Sequence, residues 1–300
     1  MKKCIWAVVI LGLFACNQES SAPRKPLPPA SPEADQQTAA LQQASNDLIT
    51  VAQLNDLTKI EDALRRGADV NFISQNAGSR IKVTDYSIET GPNGEGIFRY
   101  SGEELNKPWT ALMWACDRGN TDAVKILLSK GANPEIKALD NGDTALIIAT
   151  KKDNTEIVKL LLGNHAAVNT QNQEGFSPLA LAAEGNNMEA VKLLLAKGAD
   201  VNNLNAWQET PLMIASAYGL TDMVKLLLDN GAKINLQSED GVTALLLATA
   251  RNKKEIVKLL LEHKADVHLA NVAGYTPLRV ATEDNNTEIV KLLKAAGAKK

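Results

Sequence analysis

Residues 177–209 read SPLALAAEGNNMEAVKLLLAKGADVNNLNAWQE, and residues 210–242 read TPLMIASAYGLTDMVKLLLDNGAKINLQSEDGV. Both segments carry a hydroxyl residue, a small apolar run, a polar turn, a Leu-rich run, a glycine and a polar stretch, in the same order. Working outward, the opening hydroxyl residue recurs as Thr110, Thr144, Ser177, Thr210, Thr243 and Thr276, at spacings of 34 and then 33 four times. Self-similarity at a fixed period marks a repeat array, in which each unit buries its apolar face only by stacking on its neighbours.

Each unit reads as two short helices. Thr or Ser is a good N-cap for the first, and Pro178, Pro211 and Pro277 sit at its first position, where a missing N–H costs nothing. The second opens on an acidic residue, favoured there by the helix dipole, and continues as Glu156-Ile-Val-Lys-Leu-Leu-Leu162, Glu189-Ala-Val-Lys-Leu-Leu-Leu195, Asp222-Met-Val-Lys-Leu-Leu-Leu228 and Glu255-Ile-Val-Lys-Leu-Leu-Leu261. The sharp turn between helices falls on Gly119, Asp153, Asn186, Gly219, Asn252 and Asn285, all types that tolerate a left-handed backbone. After the second helix come Gly131, Gly198, Gly231 and Gly297, whereas His165 and Lys264 fill the same slot and are expected to be strained.

This pattern resembles the ankyrin repeat over about five-sixths of the chain. The resemblance implies an all-α repeat solenoid with finger loops between helix pairs. One departure is consistent: the family's His in Thr-Pro-Leu-His is Met113, Ile147, Ala180, Met213, Leu246 or Arg279 here, so its hydrogen bonding to the Thr is lost. Running the register backwards gives a seventh copy, with Asn46 as cap, Leu48 and Val51 in the core, Asn55 at the inter-helix turn and Gly67 at the final turn. At the other end Lys294 replaces the last leucine, as suits a terminal repeat facing water.

From Asn46 to Thr110 is 64 residues, so an insertion, at about residues 73–107, sits in the first finger. Arg80 to Thr90 and Gly96 to Tyr100 are rich in β-branched and aromatic residues around Gly91-Pro-Asn-Gly94, which reads as a β-hairpin, the alternative being an irregular surface loop.

Residues 1–15 read as a lipoprotein signal peptide: Lys2 and Lys3, an apolar run from Cys4 to Phe14 too short to span a bilayer, then Leu13-Phe14-Ala15-Cys16, which resembles the bacterial lipobox. The resemblance implies acylation of Cys16 and, because Asn17 rather than Asp follows, sorting to the outer membrane on its periplasmic side. An ordinary secretory signal or a short uncleaved anchor are the alternatives. Loss of Lys2 and Lys3 takes the formal charge from −3 to −5. Residues 16–40, with Pro23, Pro26, Pro28, Pro29 and Pro32, read as an extended tether leading to the repeat domain at 41–300.

The near-neutral charge points away from nucleic acid. No disulfide framework is expected, because Cys4 leaves with the signal, Cys16 is acylated and Cys116 matches Thr150, Ala183, Ser216, Thr249 and Thr282 as a small packing residue. His165, His263 and His268 stand at helix ends without triad, metal-ligand or phosphate-loop spacing, so no enzyme, metal or cofactor is expected.

The resemblance implies a concave face built from finger tips and the exposed ends of the first helices. Its positions lie one, three, four and six before the hydroxyl residue and seven and eight after. Trp109, Phe176, Trp207, Tyr218 and Tyr275 fall there, five of the ten aromatics beyond the signal segment, while Phe72, Tyr86, Phe98 and Tyr100 belong to the insertion and Trp114 should be buried. Exposed aromatics carry interface energy, so these residues are candidate partner contacts. The alternative is that finger aromatics stack on neighbouring fingers. The charged members, Asp117, Arg118, Lys151, Lys152, Glu184, Arg251, Glu283 and Asp284, alternate in sign and suit register more than steering; Arg118, Lys151, Lys152 and Arg251 join the candidate contacts.

The expectation is a monomeric, non-catalytic protein-binding module, membrane-attached through its lipid. Envelope proteins of this type include immunity inhibitors of hydrolases, and a long hairpin beside a concave face suits plugging a cleft. A periplasmic scaffold or chaperone, or a peptidoglycan- or sugar-binding protein, are the rival readings.

Overall fold

The computed structural model describes the backbone of residues 32–73, 82–83, 86–90, 96–100, 103–104 and 107–299, with side chains at 36–73 and 107–299. The chain divides into two compact units, residues 1–39 and 40–300. The second is a stack of helix pairs. The first pair is α1 (Pro32–Leu54, whose start lies in the first unit) and α2 (Leu57–Arg65). Between it and the next pair come four strands: β1 (Lys82–Val83), β2 (Tyr86–Thr90), β3 (Gly96–Tyr100) and β4 (Glu103–Glu104). Six regular pairs follow: α3 (Ala111–Asp117) with α4 (Thr121–Ser129), α5 (Ala145–Lys151) with α6 (Thr155–Gly163), α7 (Pro178–Glu184) with α8 (Met188–Ala196), α9 (Pro211–Tyr218) with α10 (Thr221–Asp229), α11 (Ala244–Ala250) with α12 (Lys254–Glu262), and α13 (Pro277–Glu283) with α14 (Thr287–Ala295).

The local reasons are those the residues suggest. Each hydroxyl residue caps its helix by accepting from the third N–H beyond it, at 3.1–3.4 Å from Thr110 through Thr276. All six inter-helix turn residues have positive φ, as do Asn55 and Gly67, so the seventh register is right at its turns. His165 and Lys264 are forced to φ 63° where other repeats use glycine. The core is a column of fully buried leucines, Leu127, Leu161, Leu194, Leu227, Leu260 and Leu293, flanked by alanines that let the helices approach closely. Lys294 is exposed at the open end.

Repeats are stitched by side-chain amides as well as by apolar packing. Asn120 Nδ2 donates to the carbonyls of Ala52 and Gln53 at 2.7 and 3.0 Å, and Asn154 Nδ2 to that of Cys116 at 3.0 Å. Successive fingers are joined by backbone bonds: Gln173 N–H to Asn141 O, Ala206 N–H to Glu174 O, Glu239 N–H to Trp207 O and Val272 N–H to Asp240 O. Each finger therefore has its neighbour's carbonyl as a ruler, which fixes what the tips present.

Two features of the first repeat differ from expectation. Helix α1 begins at Pro32, so residues 32–40 are helical rather than extended, and Asn46 lies inside the helix rather than capping it. Proline suits a first helical turn, and the following Gln36 to Ala44 is rich in Gln, Ala and Leu, good helix formers that carry the helix back beyond the repeat register. Phe72, assigned to the insertion, packs half-buried against the core instead. The insertion does contain an antiparallel ribbon, with Tyr86 opposite Tyr100 and Ile88 opposite Phe98. β1 pairs with β4 beside it.

Candidate functional site

The inner face is read most simply as columns running from repeat to repeat. The column one before the hydroxyl residue is Trp109, Asp143, Phe176, Glu209, Val242 and Tyr275; the column eight after it is Arg118, Lys152, Gly185, Tyr218, Arg251 and Asp284. Both begin in cation- and indole-rich self-contacts and change character in the middle.

The aromatics do not form one continuous stripe. Trp109 is 3% exposed, not displayed. Its indole N–H donates to Asp140 Oδ1 of the next finger at 3.2 Å, its ring lies 5.0 Å from the buried Trp114, and the Lys107 ammonium sits 4.1 Å above it. Once its one polar atom has a partner, packing rather than display is its lower free energy. Tyr275 is half-buried and covered by the Arg279 guanidinium at 4.1 Å, which also bonds Glu283 at 2.9 Å. At the centre the situation reverses. Trp207 is 51% and Tyr218 58% exposed, and half-buried Phe176 packs its ring 5.9 Å from Trp207.

Between Phe176 and Tyr218 lies a cleft of about 370 Å³. Met213, Ile214, Ala217 and Leu247 contribute its apolar lining, Phe176 and Tyr218 its aromatic lining, and Glu184, Glu209 and Arg251 its charges. The Tyr218 hydroxyl donates to Glu184 Oε1 at 3.1 Å, and this bond holds the phenol above its usual pKa. Asn205, nearly buried, shapes the finger: its Oδ1 accepts from the N–H groups of Trp207 and Glu209 and its Nδ2 donates to Glu209 Oε2 at 3.0 Å. A second hollow borders Glu184 on its other side and includes Gly185, the member of its column with no side chain.

The candidate cations divide in the same way. Lys151 Nζ lies 2.7 and 3.0 Å from the two oxygens of Asp143, a 2%-exposed carboxylate that also accepts from Asn141 and Asn172. Lys152 pairs with Asp117 at 3.0 Å, and Arg118 lies 3.9 Å from Asp117 and 5.9 Å from the Trp114 ring. These three are engaged within the chain. Arg251 is exposed at the cleft.

One residue here escaped the sequence reading. The position two before the hydroxyl residue is Gly142, Gly175, Gly241 and Gly274 in four fingers, at φ 73–76°, but Gln208 at φ 57° in the finger that displays Trp207. A non-glycine residue held in the left-handed region costs about 1–2 kcal/mol. The signal was visible in that column, where glycine is replaced by Gln208 and, at the start of the array, by Pro108.

Tyr86, Phe98 and Tyr100 fall on the paired strands, but their side chains, like all of Cys16, lie outside the described residues. Among the described residues no helix is long and apolar enough to cross a membrane, and no group of three His, Cys, Asp or Glu is placed to hold a metal ion. His263 Nδ1 lies 2.9 Å from the carbonyl of Leu259.

A family model described as ankyrin repeats (3 copies) matches residues 93–172, 152–238 and 230–300, together well over half of the chain. The ankyrin repeat and KH domain-containing protein mask-1 of Caenorhabditis elegans is 37% identical over 108 residues. That stretch covers 33% of this chain and 4% of the relative, so the chain spans a small part of that protein's length.

Proposed function

This chain belongs to the ankyrin-repeat family, a family of protein-binding modules, and from that premise we propose that it docks a protein partner on its inner face, at the cleft lined by Phe176, Tyr218 and Arg251, with Trp207 against Phe176 beside it. The observation that carries the proposal is the exposure of Trp207 and Tyr218 beside an apolar-lined hollow, while Trp109 and Tyr275 elsewhere on the face are covered by the chain itself. Large exposed aromatics beside a pocket are the usual anchors of an interface. The strained Gln208 supports it, since backbone strain concentrates where function holds a side chain in place. A photo-cross-linker replacing Trp207 should capture a partner, whereas one replacing Lys225 on the exposed side of α10 should not; the reverse result removes the docking assignment.

The module acts, in our reading, as a non-catalytic monomer in the bacterial envelope, tethered to the periplasmic side of the outer membrane through acylated Cys16. Lys2, Lys3, the run to Phe14, Leu13-Phe14-Ala15-Cys16 and the following Asn17 support that placement. More than one acyl chain makes such anchoring stable. A clickable fatty acid should label the wild type and not Cys16→Ser, which should also leave the membrane fraction; unlabelled wild type would end this part of the proposal.

For the consequence of docking we propose inhibition of an envelope hydrolase, with the β2–β3 ribbon entering the enzyme's cleft. The antiparallel pairing of residues 86–90 with 96–100 supports it, because a two-stranded ribbon is a shape that fits a cleft. Deleting residues 80–100 should abolish inhibition and leave docking at Trp207 intact. A scaffold or chaperone would keep both its partner and its effect.

A further inference from the structure

Outside its centre the inner face pairs three of its acids with a cation: Asp117 with Lys152, Asp143 with Lys151, and Glu283 with Arg279. The central cleft does not. Glu184 accepts from the neutral Tyr218 hydroxyl and Glu209 from the neutral Asn205 amide, and among the described residues neither carboxylate is within 4.0 Å of a cationic nitrogen. These neutral donors orient the two carboxylates without cancelling their charge.

The surroundings favour the same sign. The neighbouring finger tips carry exposed Glu174, Glu239 and Asp240, tied to the Trp207 finger and its neighbours by the backbone bonds Ala206 to Glu174, Glu239 to Trp207 and Val272 to Asp240. Against these five acids stand Arg251 in the lining and Lys253, whose side chain lies across the Gly219 turn. The lining itself is apolar between aromatic rings. An occupant that matches it has a long apolar stem, a flat face to lie against an aromatic ring, and a positive end to meet two carboxylates.

Resting on the docking reading above, we propose that the cleft between Phe176 and Tyr218 receives a basic side chain, arginine before lysine, from an extended segment of the partner protein. The stem lies on Met213, Ile214 and Leu247, and the cationic head donates charge-assisted hydrogen bonds from its N–H groups to Glu184 and Glu209. Arginine is favoured because its planar guanidinium stacks on an aromatic face and reaches two acceptors at once, which an ammonium does less well.

The test is selection of a random linear peptide library, displayed on phage, against the purified full-length chain. Enriched peptides are then synthesised and titrated while the Trp207 indole N–H is followed by NMR. The expected result is a fixed arginine or lysine in the enriched sequences and an affinity that falls at least tenfold on Glu184→Gln with Glu209→Gln. Circular dichroism checks that this variant, altered at one exposed and one half-buried position, keeps its helix content. Enriched peptides without a basic residue that still lose binding on Tyr218→Ala would overturn the basic side chain and leave the docking cleft standing. Enrichment indifferent to both Tyr218→Ala and the double glutamine variant would overturn both.

Discussion

Replacing Lys264 by glycine should make the protein more stable, although it removes a whole side chain. Lys264 follows α12 at φ 63°, in the slot that is Gly131, Gly198 and Gly231 in other repeats at φ 85–87°. Its backbone N–H bonds to the Leu261 carbonyl at 2.9 Å, which glycine keeps, and its side chain is exposed. Holding a non-glycine residue left-handed costs about 1–2 kcal/mol, and glycine's extra freedom in the unfolded chain takes back about 0.5–1 kcal/mol. The net expected gain is therefore up to about 1 kcal/mol. Gly198→Ala is the mirror experiment. A Cβ there meets no atom within 4 Å, so any cost comes from the backbone alone, and it should destabilise by about the same amount. Thermal unfolding followed by circular dichroism should show shifts of about 2–4 °C per kcal/mol for a domain of this size, opposite in sign for the two variants. A lower midpoint for Lys264→Gly, or a higher one for Gly198→Ala, would refute the reasoning.

Gln208→Gly should stabilise by a similar amount of up to about 1 kcal/mol while loosening the Trp207 finger and weakening partner binding; equal affinity would show that the strain serves no purpose. Lys151→Met leaves the buried Asp143 carboxylate with amide donors alone and should cost about 1–3 kcal/mol in urea unfolding, toward the low end because Lys151 is partly exposed. Burial, with a smaller contribution from neighbouring Asp117, pushes the Cys116 thiol far above its usual pKa. Peptide mapping after iodoacetamide treatment should find Cys116 unmodified in the folded protein and modified in denaturant; rapid labelling under native conditions would show that its repeat opens.

What was legible in the sequence was what recurs within one repeat. Thr or Ser at the cap, Asp, Asn or Gly at the turn and Leu in the column each act over a few residues, so the letters suffice. What failed was decided between repeats. Trp109 is buried because Asp140, in the next finger, offers an acceptor and Trp114 a ring beneath it. Lys152 meets Asp117 across a repeat boundary, where a list of alternating signs reads as a row of free charges. The start of α1 was missed for another reason: Pro32 closes the proline-rich run but also suits the opening of a helix, and only the residues after it decide. The central cleft was half visible. Of the five aromatics expected on one face, Trp207 and Tyr218 are displayed and Phe176 packs beside Trp207, but the pair Glu184 and Glu209 emerges only once Asp117, Asp143 and Glu283 have been matched with their cations.

Titration calorimetry of the cross-linked partner against the wild type and the double variant Trp207→Ala with Tyr218→Ala tests the docking assignment most directly. Two anchor side chains at the centre of an interface together contribute about 3 kcal/mol or more, so affinity should fall by about a hundredfold or more, while Lys225→Ala binds like the wild type. Affinity within about twofold of wild type for the double variant, with Lys225→Ala impaired instead, would put the partner on the opposite side of the helix stack and contradict the account.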